Sequence, residues 1–311
     1  MQTPRIERKI LERSCAGARV QVPVTTMTGG SGGPTLAVIA GVHGSEYAGI
    51  VAAMQLSRTL SKVDLEGVVR IVPICNIPAF YGRSECVCPV DGKNLNRVFP
   101  GNPAGTYSDV LADLVFGEIV EGSDCVLNVH GGDIFEKLLP YAGIAQIGDE
   151  ALVRQCADLG HVYDLPYVVT FAGKSSESYG MDLNTAAQAR GIPAMLVEAG
   201  GEGVLRQEEA DIHLKGMTNI MKHLGMIEGD VVREQRSREM TTDFWRIPNE
   251  GVFLPSVKLG DCVKAGQQVG TLFDWHGELM EEVPAPADAE ILAIVTTPAA
   301  RKGAVMYQVV Y

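Results

Sequence analysis

The stretch LAVIAGVHGSEYAG, residues 36–49, is an apolar, strand-like run that ends in a His-x-x-Glu pair at the start of a helix. His43 and Glu46 lie three residues apart on one loop, so their imidazole and carboxylate could bind a single divalent ion. A third ligand must come from elsewhere in the chain, and His130 is the natural candidate. It ends the apolar run of CVLNVHGGD, residues 125–133, and glycines follow it. In an open α/β sheet such strand ends converge on one edge, where ligands bind.

Two histidines and a glutamate, with a fourth position left for water, form a known arrangement of catalytic zinc. Two strand-end histidines beside one glutamate favour this interpretation over hydrogen-bonded residues of a core or turn. The other four histidines lack that context: His161, His213, His223 and His276. His213 and His223 lie in helical, polar segments, which predicts that both are exposed to solvent.

A third strand-like run, GIPAMLVEAGG at residues 191–201, ends in Glu198 and is followed by glycines. A carboxylate there would lie on the same sheet edge as the two histidines. Zinc-dependent hydrolysis needs a group that takes a proton from water and later gives it to the leaving amine. We therefore predict Glu198 as the general base, with a helix-capping or salt-bridged glutamate as the alternative.

A cationic loop follows the strand VVRIVPICN and includes DGKNLNRVFPG, residues 91–101. The chain has a formal net charge of −12, so clustered positive charges are unusual in it. Arg97 with Asn96 could bind a carboxylate, because a guanidinium offers a planar fork that matches two carboxylate oxygens. Arg83 could instead polarise a carbonyl and stabilise its oxyanion. For Arg97, Arg83 and Lys93 the alternative is an ordinary surface position.

Apolar runs alternate with helix-like segments between about residues 35 and 225. The pattern predicts strands at 35–41, 68–75, 125–130, 141–147, 167–171 and 192–198, and helices at 46–60, 107–121, 150–159, 184–190 and 206–224. This alternation favours an α/β fold with a mixed, largely parallel sheet and helices on both faces. The sequence thus predicts a catalytic domain over residues 1–239.

The pattern changes after the polar connection VVREQRSREMTTDF. Short strands with turn residues then follow, as in GVFLPSVKLGDCVKAGQQVGTLFD and VPAPADAEILAIVTT. We predict a small all-β domain over residues 240–311, which resembles the barrel sandwich of biotinyl and lipoyl domains.

Composition restricts the class of protein. A chain of 311 residues with 46% apolar content can bury a sizeable core and suggests about two domains. The N-terminal segment is charged and has no apolar h-region, and no stretch approaches the roughly twenty apolar residues of a membrane span. The acidic balance argues against nucleic acid or anionic membrane as partners. The seven cysteines lack a paired zinc-binding spacing and indicate reduced thiols, so a cytoplasmic protein is expected.

Two other sequence motifs lack the structural context that their usual functions require. Gly-Gly-Ser-Gly-Gly, residues 29–33, matches the serine-hydrolase pattern, but Pro34 and a strand follow it where a helix is needed. We interpret it as a flexible hairpin loop. AGKSS, residues 172–176, offers Gly-Lys-Ser, yet Val168 stands where a phosphate-binding loop needs its first glycine. No nucleotide is implied.

The ordered set GVHGSEYAG, DGKNLNRVFPG, NVHGGD and LVEAGG resembles the succinylglutamate desuccinylase and aspartoacylase family, relatives of the zinc carboxypeptidases. The resemblance covers roughly residues 35 to 225. It implies one zinc ion per chain at the positions of His43, Glu46 and His130, with Glu198 as the base. It also implies that Asn96 and Arg97 bind a substrate carboxylate, and it assigns the carbonyl-polarising arginine to Arg83.

The activity implied by this resemblance is removal of a short acyl group from a small N-acyl amino acid. Succinylglutamate, acetylaspartate and acetylated diaminobutyrate all remain open as substrates. A metallocarboxypeptidase acting on small peptides is the alternative hydrolase. A carrier or binding module is the alternative from another class, but the turn PAPADAEI lacks the lysine that carries biotin or lipoate. The C-terminal domain is expected to cap the active site or to form a contact in a homo-oligomer.

Overall fold

The main sheet of the protein has 13 strands in the computed structural model, which describes residues 3–171 and 181–311. In spatial order the strands are β1 (Arg5–Cys15), β2 (Ala18–Thr28), β4 (Glu66–Val72), β3 (Gly30–Ala40), β5 (Cys125–His130), β9 (Ala194–Glu198), β7 (Tyr141–Ile144), β8 (Tyr167–Phe171), β10 (Arg238–Arg246), β17 (Val305–Val310), β15 (Ala289–Val295) and β12 (Cys262–Val263), and β6 (Glu136–Leu138) pairs with β15. Strands β4, β3, β5 and β9 run parallel, β7 is antiparallel to β9, and β8 and β10 continue parallel to β7. The predicted mixed sheet is confirmed.

Helices cover both faces of the central strands. They are α1 (Tyr47–Leu60), α2 (Ile77–Gly82), α3 (Tyr107–Val115), α4 (Glu150–Tyr163), α5 (Leu183–Gln188) and α6 (Gln207–His223). On one face of the sheet, an apolar core packs α1, α4 and α6 against strand residues such as Val38. On the other face, a second core packs α3 and α5 against residues such as Ile39, the next residue of β3. Strand β5 is buried along its whole length, as expected of a strand with helices on both sides.

The N-terminal strands β1 and β2 form a long antiparallel hairpin that the apolar pattern did not predict. The interpretation of residues 29–33 as a hairpin loop is wrong. Gly30 already begins β3, and β3 pairs with β4 while β2 pairs with the other edge of β4. The register shifts between Gly30 and Thr35, so the glycine-rich segment is an irregular start of a strand. The AGKSS segment lies outside the described residues.

The C-terminal residues continue the main sheet and add a second one. Strand β10 pairs with β8 on one side and with β17 on the other. The second sheet has the order β14 (Leu279–Pro284), β13 (Gln268–Phe273), β11 (Gly251–Pro255) and β16 (Ala299–Ala300). Phe253, Leu272 and Tyr307 belong to the apolar core of this region. The domain division at residue 240 stays a prediction, and that residue lies within the shared strand β10.

Candidate metal centre and active site

Three strand ends bring the predicted site residues to one edge of the sheet. His130 is the last residue of β5 and lies beside Glu198, the last residue of β9, in the parallel register. His43 follows β3, after a turn at Gly41 whose φ of +66° favours glycine. A Cβ on Gly44 would lie 2.1 Å from the backbone carbon of Ala79, so only glycine lets α2 approach the loop this closely.

His43, Glu46 and His130 form a compact, buried cluster. Nδ1 of His43 lies 2.7 Å from Oε1 of Glu46, and Nδ1 of His130 lies 2.8 Å from Oε2. The candidate ligand atoms of the three residues all lie within 4.8 Å of one another. Glu46 occupies the N-cap position of α1, yet its side chain makes no capping hydrogen bond. The carboxylate faces the imidazoles instead.

Two asparagines determine which nitrogen of each histidine carries the proton. Nε2 of His43 lies 3.1 Å from Oδ1 of Asn94, and Nε2 of His130 lies 2.9 Å from Oδ1 of Asn128. Both amides are oriented by further bonds, since Asn94 Oδ1 also accepts the Asn96 N–H and the Asn128 amide donates to Asn184. For His130 the Asn128 oxygen at 2.9 Å is nearer to Nε2 than the Asn96 amide nitrogen at 3.4 Å. An amide oxygen only accepts, so we assign Nε2 of each ring as the donor.

The Nδ1 lone pairs of the neutral rings therefore face the carboxylate of Glu46. Lone pairs and a carboxylate at this distance repel each other unless a proton or a metal cation lies between them. Oε2 of Glu46 is buried and accepts no hydrogen bond from the residues that the structure describes, although His130 is close. The donor set, two imidazole nitrogens and one carboxylate, is that of zinc. The residues fit a bound zinc ion.

The pKa values of Glu46 and His43 also indicate that positive charge is stabilised beside the Glu46 carboxylate. Burial by itself would raise the pKa of Glu46, but the two imidazoles hold that pKa below its ordinary value. Burial likewise opposes the charged form of His43, and Glu46 nevertheless raises the pKa of that imidazole. A carboxylate held ionised inside the protein is a strong ligand for a positive charge.

A cavity of about 510 Å³ opens beside the cluster. Its polar lining includes His43, Asn96, Arg97, His130, Glu136, Tyr141, Asp182, Glu198 and Gln308. Its apolar lining includes Ile147, Phe171, Leu196 and Phe244. A second cavity, of about 640 Å³, lies against α4, and none of the predicted site residues lines it.

Glu198 has the environment of a general base. One of its carboxylate oxygens, Oε2, is buried and has no hydrogen-bond partner within the described part of the chain. Burial, together with the nearby charges of Glu46 and Glu136, raises the pKa of Glu198 well above its usual value, while Arg97 opposes the shift. A raised pKa makes a carboxylate a better proton acceptor and donor near neutral pH.

The cationic loop contributes unequally to the site. Arg97 lines the cavity, and its Nη1 donates to the Asn96 carbonyl at 2.7 Å. Asn96 also lines the cavity, but its Oδ1 accepts the Leu183 N–H at 3.1 Å, so this amide oxygen already has a partner.

The other two basic residues of the loop do not line the cavity. Lys93 is paired with Asp109 at 2.6 Å. Arg83 is exposed at the end of α2 with a φ of 48° and does not line the cavity. Its role at the carbonyl stays a prediction.

Several functional candidates were missed by the sequence analysis. Asn94 and Asn128 lie inside the quoted motifs. An asparagine two residues before His130, in the otherwise apolar run CVLNVH, could have indicated a hydrogen-bond partner for a site residue. Glu136, Phe244 and Gln308 had no local signal. The expectation of a solvated His213 is wrong, because His213 is fully buried and bonded to Tyr163 and Ala199.

Comparison with known proteins agrees with this geometry. The family model of the succinylglutamate desuccinylase/aspartoacylase catalytic domain matches residues 32–224. The chain is 32% identical over 268 residues to the N-alpha-acetyl-L-2,4-diaminobutyric acid deacetylase of Halomonas elongata, an alignment that covers 85% of this chain and 77% of that protein.

Solved structures are similar over the whole chain. One is the succinylglutamate desuccinylase/aspartoacylase from Rhodobacter sphaeroides, with a TM-score of 0.89, 26% identity and coverage of 99% of this chain and 95% of that chain. Another is the product-bound ectoine utilization protein EutE (DoeB) from Ruegeria pomeroyi, with a TM-score of 0.89, 26% identity and coverage of 100% and 96%. This chain therefore belongs to the succinylglutamate desuccinylase/aspartoacylase family.

Proposed function

We propose that this chain is a zinc-dependent amidohydrolase that removes a short acyl group from a small N-acyl amino acid. Members of the family are deacylating amidohydrolases of N-acyl amino acids, so the chain is a hydrolase that acts on linear amide bonds. The observation that carries the zinc proposal is the pair of imidazole Nδ1 atoms directed at one buried carboxylate.

His43, Glu46 and His130 would hold the zinc ion, one per chain. When bound, zinc acidifies water and polarises the carbonyl of the amide. Glu198 then accepts the proton of the attacking water and delivers it to the nitrogen of the leaving amine. Its raised pKa makes this carboxylate a stronger proton acceptor than an ordinary glutamate.

Arg97 would bind the carboxylate of the amino acid. It supplies a fixed positive charge in the described lining of the cavity. A guanidinium can bind a carboxylate through two parallel hydrogen bonds, which fixes the orientation of the substrate as well as its position. Asn96 would support this site by holding the Arg97 loop against α5 through its bond to Leu183.

The C-terminal strands narrow the cavity in this proposal. Phe244 of β10 and Gln308 of β17 line it, and β6 is held against β15. Gln308 accepts a hydrogen bond from Tyr141 at 3.2 Å. A cavity of about 510 Å³ suits small acylated amino acids better than peptides, which is why we prefer deacylase activity to carboxypeptidase activity.

A substrate panel tests the proposal. Purified protein loaded with zinc should hydrolyse N-acetyl or N-succinyl amino acids and leave dipeptides with a free C-terminus largely intact. Faster cleavage of the dipeptides would favour the metallocarboxypeptidase. Mass spectrometry of the denatured protein tests the carrier alternative, which requires a covalent biotin or lipoyl adduct.

We also propose a cytoplasmic location. All seven cysteines are free thiols, as expected of a protein in a reducing compartment. No helix in residues 3–171 and 181–311 is long and apolar enough to span a membrane. A homo-oligomer remains an expectation.

A further inference from the structure

Glu136 is a carboxylate in the cavity wall whose role the proposed mechanism leaves unexplained. It lies on β6 and lines the cavity together with Glu198 and Arg97. Tyr141 lies near both carboxylates. It is opposite Glu198 in the β7–β9 register. Burial raises the pKa of Tyr141 most, and the charges of Glu198 and Glu136 raise it further. Glu136 therefore belongs to the wall of the substrate cavity, where the proposed mechanism gives it no step.

The backbone around Glu136 is held firmly. Its N–H donates to the Asp133 carbonyl at 3.0 Å, and its own carbonyl accepts the Glu202 N–H at 2.9 Å. In the pairing of β6 with β15, Glu136 is opposite Val295. A side chain carried by such a backbone keeps its position, which is a requirement for a residue that determines specificity.

The carboxylate of Glu136 lacks a compensating charge among residues 3–171 and 181–311. Within the described part of the chain it forms no ion pair, and no side chain donates a hydrogen bond to it. Burial, reinforced by the charge of Glu46, raises its pKa to about 7. An acidic group in this state costs stability and gains a partner when a cation enters the cavity.

The cavity has opposite charges available for two ends of a ligand. Arg97 can bind a carboxylate, whereas Glu136 has capacity left for a positive charge. Phe171 and Phe244, with ring centroids 6.4 Å apart and nearly parallel planes, form part of an apolar wall suited to methylene groups. A short aliphatic chain that ends in an ammonium group matches this arrangement.

We propose that Glu136 binds a second, positively charged amine on the amino-acid part of the substrate, so that the enzyme selects N-acyl diamino acids. This inference rests on the proposed deacylase function and narrows its substrate class. An acidic side chain on the substrate would instead meet the carboxylates of Glu136 and Glu198. Substrates such as N-acetylaspartate are thus disfavoured by like-charge repulsion.

Three substrates of similar size test the role of Glu136. Nα-acetyl-2,4-diaminobutyrate carries the ammonium group, Nα-acetylhomoserine carries a neutral hydroxyl in its place, and N-acetylaspartate carries a carboxylate. The wild type should prefer the ammonium substrate. In Glu136→Gln, kcat/KM for that substrate should fall by roughly 10 to 100-fold, as expected for a lost charge-assisted hydrogen bond, with little change for the homoserine compound.

A matched control and a physical readout exclude a merely structural effect. Glu118→Gln makes the same change on an exposed side chain and should leave all three rates unchanged. Because Gln removes an uncompensated buried carboxylate, Glu136→Gln should unfold at the same or a higher temperature than the wild type. Calorimetry should show weaker binding of 2,4-diaminobutyrate to Glu136→Gln.

The outcomes separate the two proposals. If the wild type hydrolyses several N-acetyl amino acids but Glu136→Gln slows all three substrates equally, the specificity role is wrong and the deacylase function stands. If the wild type hydrolyses none of the substrates, the deacylase proposal fails. Equal binding of 2,4-diaminobutyrate by wild type and variant would overturn the role of Glu136 in either case.

Discussion

At the scale of single residues, hydrogen bonds to neighbouring side chains decide which atom of each site residue remains available to bind a metal. The Nε2 atoms of His43 and His130 are used by asparagine oxygens, so only Nδ1 remains for a ligand. Such outer hydrogen bonds orient metal-binding imidazoles and increase their basicity. The same reasoning predicts different consequences for a ligand and for its supporting asparagine.

The zinc content of purified variants can distinguish a metal ligand from the asparagine that supports it. His130→Ala should lose most of the zinc, because one ligand of the three is gone, whereas Asn128→Ala should weaken zinc binding by only roughly 10 to 100-fold. Elemental analysis of wild-type protein should find about one zinc per chain. The exposed His223→Ala serves as the control and should bind zinc normally. Full zinc occupancy in His130→Ala would show that the ligand assignment is wrong.

Glu198→Gln separates catalysis from metal binding. The amide has nearly the same shape but cannot accept a proton, so turnover should fall by roughly 10² to 10⁴-fold, the usual contribution of a general base. Zinc content should stay normal, because Glu198 is not among the three proposed ligands. Turnover measured in a stopped assay, next to elemental analysis of the same sample, checks both expectations. Near-normal turnover would place the base elsewhere.

Arg97→Lys tests how the substrate carboxylate is bound. Lysine keeps the charge but loses the planar fork, so kcat/KM for an N-acyl amino acid should fall by roughly 10 to 100-fold. For an analogue whose carboxylate is a neutral amide, the same substitution should have little effect. Measuring both enzymes on both compounds gives a double-mutant cycle. An equal loss on acid and amide would make Arg97 a structural residue.

At the scale of the elements, α6 is tied to the end of β9 through a buried histidine. His213 Nε2 donates to the carbonyl of Ala199 at 3.2 Å, and its Nδ1 lies 3.0 Å from the Tyr163 hydroxyl of α4. Burial lowers the pKa of His213 from 6.5 to about 4. This residue thus links two helices to the strand that carries Glu198, and only its neutral form fits.

The free energy of unfolding should depend on pH through His213. Between pH 6.5 and about 4 the unfolded histidine binds a proton that the folded one does not, so stability decreases as the pH falls through this range. The full loss is up to about 3 kcal/mol. Urea denaturation of His213→Gln should show a weaker pH dependence than the wild type in that interval. Parallel curves for the two proteins would contradict the assignment.

At the scale of the whole molecule, the C-terminal strands and the catalytic region share one sheet and one core. Strand β10 pairs with β8 over residues 238–242. A further apolar cluster combines Leu138, Tyr167 and Val169 with Leu292 and Val310. Separating the two regions would expose the edge of β8 and this cluster, so the regions are expected to stabilise each other.

Two optical probes can test that dependence. Both tryptophans, Trp245 and Trp275, lie in the C-terminal region, and Trp245 is buried there. The six α-helices of the described residues all end before residue 224. Tryptophan fluorescence and the helical circular dichroism signal therefore report on different regions, and we expect their urea transitions to coincide. Two separated transitions would instead support independent domains on either side of residue 240.

The sequence by itself was enough to predict the central α/β order, which the structure confirms, and to propose the metal ligands and the base. His43, His130 and Glu198 each end an apolar run, and strands that run parallel bring such ends to the same edge of a sheet. Helix and strand periods are local, so α1, α4 and α6 were placed to within a few residues. These conclusions needed only neighbouring residues and one rule of topology.

Only the tertiary structure decided which polar residues are buried and which distant strands reach the cavity. His213 has a helical, polar neighbourhood in the sequence, but α6 packs that face against Tyr163. Glu136 and Gln308 are far apart in the chain and meet the cavity through the pairing of β6 and β17 with β15. Burial and long-range strand pairing depend on contacts between remote residues, and a local pattern contains no information about such contacts.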